Sequence, residues 1–305
     1  MQDIYISANG IRFHCVTSGS GPLMLFLHGF PEFWYEWKGQ LEEFGKDHLV
    51  VAPDLRGHNL SEKPAELEAY QVPVLLGDIR GLADYFRGGK KFILVGHDWG
   101  GALAWGFAMA HPEYLEKLII INAPHPGIFR KLLESDAGQQ AASQYMLLFR
   151  SPQADAMLAA DNYALLVQNI LAPLLASGAM TEADKAEYLK AWSQPEALTC
   201  GLNYYRANRT GPPVPQEMEA AIGASGTLLP ARWTEAQMTV RVPTLVIWGE
   251  KDVALTVKNL EGLEKYVPDL TVKRIADASH WVVHEKREEV NRLIREFVGG
   301  GAGSR

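Results

Sequence analysis

Short apolar runs alternate with helical patterns along the first 124 residues of the chain. Residues 3–17 alternate weakly in polarity and predict two strands joined by a turn. Four continuous apolar runs follow, as expected of strands that are buried on both faces, at 23–29, 48–54, 92–96 and 115–124. Apolar residues at helical spacing separate these runs, at 37–47, 72–87 and 101–110. This rhythm predicts a mostly parallel sheet with helices on both faces.

The rhythm breaks after Pro124. No strand is predicted between 125 and 236, where helical patterns and loops prevail. Strand patterns return at 240–249 and 270–278, and a helical pattern, REEVNRLIREFV, closes the chain. We therefore predict an α/β core that a helical cap interrupts after the sixth major strand. The core comprises residues 1–124 and 237–305, and the cap, or lid, comprises residues 125–236.

Two segments of the predicted cap carry distinct local signals. TEADKAEYLKAW begins with Thr181 and Asp184 at the spacing of a capping box, which predicts a helix start. Residues 211–230 are rich in Pro and Gly, and we expect a long connection there. The glycine-rich end of the chain, 299–305, is expected to be flexible and to carry no function.

Composition narrows the class of protein. The 305 residues are 47% hydrophobic and 21% charged, with a net charge of −7, which is typical of an ordinary globular protein. No basic stripe is present, so nucleic acid is not expected as a partner. Cys15 and Cys200 lie far apart, and no disulfide framework is expected. Neither a leader nor a membrane-spanning run is recognisable, and we predict a cytoplasmic protein that binds no membrane.

The segment VGHDWGG, residues 95–101, lies between a predicted strand and a predicted helix. Small residues flank its centre as in a nucleophile elbow, a strained turn that exposes a nucleophilic side chain. Most such elbows carry Ser, but this one carries Asp98. An Asp between a strand and a helix is often only a helix cap, so a role as nucleophile depends on partners elsewhere in the chain.

Three further motifs supply those partners. HGFPE follows the first buried strand, and its turn can direct the N–H of Phe30, together with the N–H of Trp99, at an oxyanion. Asp252 in GEKD and His280 in ASHW each follow a predicted strand. The order nucleophile, acid, histidine is that of α/β-hydrolases, and the carboxyl ends of parallel strands meet at one edge of a sheet. We therefore predict a catalytic triad of Asp98, Asp252 and His280.

Other polar residues near these motifs have simpler interpretations. His28 is interpreted as a structural histidine. His284 is interpreted as a surface residue in the first turn of the last helix. Asn122 follows the strand before Asp252, where some relatives place the acid, but its neutral side chain cannot take that role.

A carboxylate at the elbow changes the expected reaction. An Asp, with a reference pKa of about 3.9, is ionised at neutral pH and can displace a leaving group from an sp3 carbon to form an alkyl ester of the enzyme. His280, oriented by Asp252, can then activate a water that attacks the ester carbonyl of Asp98. The pattern predicts hydrolysis of a C–O or C–halogen bond at an alkyl carbon.

The segments HGFPEFWYEW, DLRGHNLS, GHDWGG, GEKD and SHW together resemble those of the soluble-type epoxide hydrolases of the α/β-hydrolase fold family. The resemblance covers nearly the whole chain, and it implies two cap tyrosines that protonate the epoxide oxygen. QYMLLF is similar to a Y-x-x-x-F motif and indicates Tyr145, whereas NYYRAN is similar to an N-x-Y-R motif and indicates Tyr205. Tyr204 is the neighbour that the second motif disfavours, and Met146 stands where the mammalian enzymes have Gln. The alternative is that both tyrosines are core aromatics of helices.

Three other functions share parts of this pattern. Haloalkane dehalogenases use the same Asp-His-Asp triad, but they tend to have Asn at the position of Phe30, where it holds the halide. Fluoroacetate dehalogenases hold the substrate carboxylate with cations, and the matching positions here are Trp99, Ala102 and Leu147–Leu148. A ligand-binding relative without turnover would have little need for the triad and both tyrosines.

No cofactor or metal is predicted, because the sequence carries neither a metal-ligand spacing nor a dinucleotide-binding loop. The expected partners are water and a small apolar epoxide, since the predicted cap is rich in Leu, Ala, Met and Tyr. We expect a monomer or a homodimer.

Overall fold

The computed structural model describes residues 1–226 and 234–300, and the strands within these ranges form one eight-stranded sheet. The strands are β1 (Gln2–Ala8), β2 (Ile11–Ser18), β3 (Leu23–Leu27), β4 (Leu49–Pro53), β5 (Phe92–His97), β6 (Leu115–Ile121), β7 (Thr244–Gly249) and β8 (Leu270–Ile275). Their order across the sheet is β1-β2-β4-β3-β5-β6-β7-β8. β1 and β2 pair antiparallel, as do β2 and β4, and all other pairs are parallel.

Helices lie between and beyond these strands. In chain order they are α1 (Lys38–Phe44), α2 (Val72–Phe86), α3 (Asp98–Ala110), α4 (Pro126–Ser135), α5 (Ala137–Ala142), α6 (Gln144–Arg150), α7 (Ala154–Leu166), α8 (Ala172–Ala176), α9 (Glu182–Trp192), α10 (Ala197–Asn208), α11 (Gln216–Ile222), α12 (Val282–Glu285) and α13 (Arg287–Gly299). A π-helical turn, Val167–Leu171, joins α7 to α8.

The central strands are buried on both faces. In β3, Met24 and Phe26 belong to the core layer that contains residues of α1 and α13. Leu25 and Leu27 belong to the opposite layer, which contains residues of α2 and α3. Successive residues of a strand point to opposite faces, so a fully apolar strand requires cover on both sides. The predicted sheet with helices on both faces is confirmed.

The chain between β6 and β7 forms helices and loops but no strand in its described part. The capping box predicted for α9 is present, because Thr181 Oγ1 accepts from the N–H of Asp184 at 3.2 Å and Asp184 Oδ2 accepts from the N–H of Thr181 at 2.8 Å. We call residues 125–236 the helical insertion, and their separation as a cap domain remains a prediction.

The prediction of a long connection over 211–230 is wrong in part, because α11 forms within it. Glu217 and Glu219 lie in its first turn, where acidic side chains favour the helix dipole. At its other end the buried guanidinium of Arg150 donates to the carbonyl oxygens of Ile222 and Gly223, at 2.8 and 2.5 Å. A side chain distant in sequence thus satisfies carbonyls that the helix itself leaves unpaired. The rest of this connection, 227–230, and residues 301–305 of the predicted tail lie outside the described residues.

One segment of the described chain, Ala154–Ala176, is long and apolar enough by length and mean hydropathy to cross a membrane, where the sequence analysis expected none. Its backbone is interrupted at Asp161, Asn162 and Tyr163, which have φ values of 50°, 56° and 63°. Leu166, Leu171 and other residues after this break belong to the hydrophobic core. The segment is therefore two helical pieces that pack within the insertion.

Helix α3 lies so close to β3 that one position tolerates no side chain. A Cβ added at Gly100 would collide with the backbone carbonyl of Leu27, whereas one added at Gly106 of the same helix would meet only the methyl groups of Leu76, the nearer at 3.3 Å.

We expect Gly100→Ala to lower the free energy of unfolding by about 1–3 kcal/mol or more, because neither backbone can yield. Gly106→Ala should cost much less than Gly100→Ala, because only the side chain of Leu76 has to shift, by a few tenths of an ångström, and Ala gains up to about 1 kcal/mol from helix propensity. Urea unfolding of both variants measures the contrast, and equal effects would contradict the close contact.

Candidate active site

Asp98 occupies a sharp turn between β5 and α3. Its φ of 50° lies in the left-handed region, which costs a non-glycine residue about 1–3 kcal/mol and persists where surrounding contacts enforce it. The N–H of Phe30 donates to Asp98 Oδ1 at 2.9 Å. A Cβ at Gly29 would collide with the Asp98 side chain, so the HGFPE turn and the carboxylate fit closely together. The predicted role of the Trp99 N–H stays a prediction.

Two other predicted residues meet Asp98 at the same edge of the sheet. Asp252 follows β7 and His280 follows β8, and β5, β6, β7 and β8 are consecutive neighbours. His280 Nδ1 donates to Asp252 Oδ2 at 2.7 Å. His280 Nε2 lies 3.6 Å from Asp98 Oδ2. The imidazole therefore lies between two carboxylates, one of which holds it in a fixed orientation.

Asp252 is buried and fully engaged by hydrogen bonds. Its Oδ1 accepts from the N–H groups of Ala254 and Leu255, at 2.9 and 2.8 Å. Its Oδ2 accepts from Asn122 Nδ2 at 2.8 Å as well as from His280. Sequence reasoning treated Asn122 only as an excluded acid. Its position at the carboxyl end of β6, next to β7, was the signal that it could reach Asp252.

The two carboxylates and the histidine stabilise one another's charges. Burial alone would raise the pKa of Asp98, but the neighbouring His280 and the N–H of Phe30 lower it below its usual value. Burial would also raise the pKa of Asp252, and His280 again lowers it. Burial would lower the pKa of His280, but Asp252 and Asp98 raise it well above its usual value. The resting site therefore favours ionised carboxylates around a protonated histidine.

Tyr145 from α6 and Tyr205 from α10 line a cavity of about 30 Å³ together with Asp98. The other lining residues are Trp99, Ala102, Pro124, Phe129, Met146, Thr210 and Leu255. Burial, and then the charge of Asp98, raises the pKa of both phenols well above the usual value. Both hydroxyls therefore stay protonated and able to donate. Tyr204 points elsewhere, since its hydroxyl donates to the carbonyl of Arg56 at 2.9 Å.

The interpretation of His284 as a surface residue is wrong. His284 is only 8% exposed, and its Nε2 lies 3.1 Å from Glu32 Oε1. The hydroxyl of Tyr188 also donates to Glu32, while Glu36 pairs with His97 beside them. His284 was predicted in the first turn of the last helix, but it lies in the separate short helix α12, which ends before α13 begins at Arg287. α12 packs against the HGFPE turn, and this contact buries the ring.

This buried cluster also contains a group with metal-like spacing. Ligand atoms of Glu32, Glu36 and His284 lie within 4.8 Å of one another. Burial raises the pKa of Glu36. The neighbouring His97 lowers this pKa in part, and the buried carboxylate of Glu32 raises it further. Tyr188 and His284 already contact the carboxylate of Glu32, and Glu36 pairs with His97.

Two further histidines contact backbone atoms around the site. His97, directly before Asp98, donates from Nε2 to the carbonyl of His280 at 2.9 Å. His28 donates from Nδ1 to the carbonyl of Gly29 at 2.8 Å, and its Nε2 accepts from the N–H of Leu55 at 2.9 Å. Both ring nitrogens of His28 are thus occupied by backbone, in agreement with a structural role.

Comparison with known proteins identifies the fold family and the relatives of this chain. Residues 22–287 match the model of the alpha/beta hydrolase fold family. The chain is 38% identical over 301 residues to the AB hydrolase superfamily protein YfhM of Bacillus subtilis (strain 168), covering 96% of both chains. It is 35% identical over 305 residues to Epoxide hydrolase 4 of Mus musculus, covering 97% of this chain and 78% of the mouse protein.

Among solved structures, the chain is similar to a mutant of an epoxide hydrolase from Bacillus megaterium complexed with its product, a naphthyloxy-propane-1,2-diol. The TM-score is 0.86 at 37% sequence identity, and the match covers 97% of this chain and 100% of the other. The sheet order, the elbow at Asp98 and these matches agree, and the chain therefore belongs to the epoxide hydrolases of the α/β-hydrolase fold family.

Proposed function

We propose that this hydrolase converts an epoxide to a vicinal diol through an ester of Asp98. The observation that carries the proposal is that a carboxylate with lowered pKa and two protonated phenols line one cavity. A nucleophile and two proton donors around one small space match the needs of epoxide opening, in which one atom is attacked and its neighbour receives a proton.

In the first step, Asp98 attacks a ring carbon of the epoxide and the C–O bond to the ring oxygen breaks. The ring oxygen leaves as a basic alkoxide, so Tyr145 and Tyr205 donate hydrogen bonds to it and one of them transfers its proton. The N–H of Phe30 already donates to Asp98 Oδ1, which leaves Oδ2 as the attacking oxygen and Oδ1 as the future ester carbonyl.

In the second step, a water molecule attacks the ester carbonyl of Asp98. Once the charge of Asp98 is lost in the ester, His280 gives up its resting proton to the tyrosinate that the first step left. The neutral imidazole then accepts a proton of the attacking water, and Asp252 orients and stabilises the imidazolium that forms. The N–H groups of Phe30 and Trp99 stabilise the oxyanion that forms on Oδ1. The imidazolium then gives its proton to the departing diol oxygen as the ester C–O bond breaks. The Asp98 carboxyl group that this leaves loses its remaining proton to His280, which restores the resting charges, and no cofactor is required for either step.

Haloalkane dehalogenase activity is the second candidate, because the same triad could displace a halide. A halide leaves as a stable anion and needs no proton from the phenols. Phe30 offers no side-chain donor for a halide. A fluoroacetate dehalogenase would need a cation to hold the substrate carboxylate, but the described lining of the cavity contains no Lys or Arg. A non-catalytic binding role leaves the assembled Asp98, His280 and Asp252 unexplained.

The helical insertion acts in this scheme as a cap, since it supplies Tyr145 and Tyr205 to a nucleophile that belongs to the sheet. The mostly apolar lining favours an apolar substrate, and the naphthyloxy diol bound by the Bacillus megaterium enzyme supports aryloxymethyl epoxides as the first class to test. Location in the cytoplasm and a monomeric or homodimeric state are part of the proposal.

The order of the two steps predicts that an ester accumulates when the second step is blocked. His280→Gln incubated with an aryl epoxide should gain the mass of one substrate on a peptide that contains Asp98. Asp252→Asn should accumulate the same ester, with hydrolysis slowed by about 10^4-fold by analogy with serine triads. Mass spectrometry of the intact and digested chain measures both. Asp98→Ala is the control and should gain no mass, and release of diol by His280→Gln at the wild-type rate would refute the scheme.

The tyrosines decide between the two leading functions. Each single change, Tyr145→Phe or Tyr205→Phe, should slow ester formation, and the double variant should lose nearly all of it, because general-acid help is worth about 10^2- to 10^4-fold. Tyr204→Phe is the matched control and should react normally, since its hydroxyl bonds to Arg56. Rapid mixing with epoxides and haloalkanes side by side measures ester build-up. An active double variant, or a wild type that prefers haloalkanes, would favour the dehalogenase.

The charge of Asp252, and after it the charge of Asp98, should hold His280 protonated in the resting enzyme. Removing that charge in Asp98→Ala should lower the pKa of His280, which NMR titration of the imidazole can follow. The pKa of His280 in the folded chain lies above the usual value of about 6.5 that applies to the unfolded chain. Protonated His280 therefore stabilises the fold fully below about pH 6.5, and this stabilisation is lost as the pH rises through the pKa of the folded chain. The wild type should lose this stability with rising pH more than Asp98→Ala does. An unchanged His280 pKa would show that Asp98 does not act on it.

A further inference from the structure

The side chain of Gln139 joins the helical insertion to the loop of the catalytic acid. It lies on α5 and is 0% exposed. Its Nε2 donates to Ser143 Oγ at 2.8 Å and to the carbonyl of Ala254 at 2.9 Å. Its Oε1 accepts from the N–H and the hydroxyl of Thr256, at 3.0 and 2.9 Å, and from Asn259 Nδ2 at 2.9 Å. Both N–H donors of this buried amide are used, and its oxygen receives three donors.

One branch of these contacts reaches Asp252 through a single residue. The carbonyl of Ala254 accepts from Gln139, while the N–H of Ala254 donates to Asp252 Oδ1 at 2.9 Å. Leu255, the next residue, also donates its N–H to the same oxygen, and Thr256 then bonds to Gln139 again. Gln139 therefore bonds to the loop both before and after Leu255. This loop presents the N–H groups of Ala254 and Leu255 to the carboxylate of Asp252.

The other branch reaches Tyr145. Ser143 is buried and directly precedes α6, and its hydroxyl accepts from Gln139 Nε2. The carbonyl of Ser143 accepts from the N–H of Met146 at 3.0 Å, so Ser143 fixes the first turn of α6, in which Tyr145 lies. Displacing this turn would displace the phenol from the cavity that it shares with Asp98.

We infer that Gln139 is a positioning residue that keeps the proton donor of the first step and the acid of the second step in register. The inference rests on the proposed function, since it assigns Tyr145 to ring opening and Asp252 to ester hydrolysis. The hydrogen bonds of the Gln139 side chain go to neither the cavity lining nor the triad, and we infer that it acts through Ser143 and Ala254. Losing it should therefore slow both half-reactions, although these use different catalytic groups.

A second contact joins the same two segments and serves as a matched comparison. Lys258 Nζ lies 2.5 Å from Asp136 Oδ2 beside α5, but Lys258 is 51% exposed. An ion pair in contact with solvent contributes little to stability, because water screens the two charges. Loss of a buried amide destabilises the structure more than loss of an exposed ion pair, because the buried partners of the amide are left without hydrogen bonds. The junction should therefore depend on Gln139 and not on the ion pair.

The test measures the two half-reactions separately in Gln139→Met, which keeps the shape of the side chain and removes its hydrogen bonds. Single-turnover mixing with an aryl epoxide should show ester formation and ester hydrolysis each slowed by about 10- to 100-fold, as expected for misplaced catalytic groups. Ser143→Ala cuts only the branch toward α6 and should slow ester formation alone. Lys258→Met should leave both rates at the wild-type level. Gln139→Glu, which keeps the acceptor and loses both donors, replaces the Met variant if that variant does not fold.

A readout without substrate separates this inference from the proposed function. The proton between His280 Nδ1 and Asp252 should give a far-downfield NMR signal that His280→Gln abolishes. This signal should shift in the Gln139 variant and not in Lys258→Met, even if no epoxide is turned over. A lower unfolding temperature with unchanged rates and an unchanged signal would mean that Gln139 is only structural. Slowing of one half-reaction alone would equally overturn the inferred link.

Discussion

The left-handed turn at Asp98 constrains the surrounding elements. A carboxylate can stand at this point only if α3 begins within contact distance of the end of β3, and the contact leaves no room for a side chain at Gly100. The same approach brings the N–H of Phe30 to Asp98 Oδ1. Strand packing, the close start of α3 and the hydrogen bond to the nucleophile are thus one geometric arrangement, and the cost of the strained φ is offset by all of them together.

The charges of the site suit a reaction in which displacement comes first. Two buried carboxylates share one imidazole, which raises the pKa of His280 and keeps Asp98 ionised. In the proposed reaction, ester formation removes the charge of Asp98 from beside His280. The pKa of the imidazole then falls, and the histidine becomes a base when a base is first needed. The tyrosines keep their protons under the same field, because burial and the negative charge of Asp98 both oppose ionisation.

Behind the triad, buried polar contacts hold backbone rather than substrate. His97 donates to the carbonyl of His280, and Asn122 and the loop after Asp252 donate to the acid. Leaving a buried donor or acceptor without its hydrogen-bond partner costs about 1–3 kcal/mol, and more where the partner is charged, as Asp252 is. Such contacts therefore fix the loops that follow β5, β7 and β8 at a common edge, while the cavity itself stays mostly apolar.

Local periodicity in the sequence determined the eight strands, the main helices and the placement of Asp98, Asp252 and His280 after strands, because apolar spacing and strand ends are encoded by adjacent residues. The resemblance to the epoxide hydrolases, and not periodicity, singled out Tyr145 and Tyr205. Only the tertiary structure decided that His284 is buried against Glu32, that α11 forms where Arg150 reaches its last carbonyls, and that Asn122 and Gln139 bond to the acid and its loop. These partners lie 72 to 252 residues apart in the chain. A polar side chain in the sequence shows which bonds it can make, but the packing of distant elements decides which partner it meets.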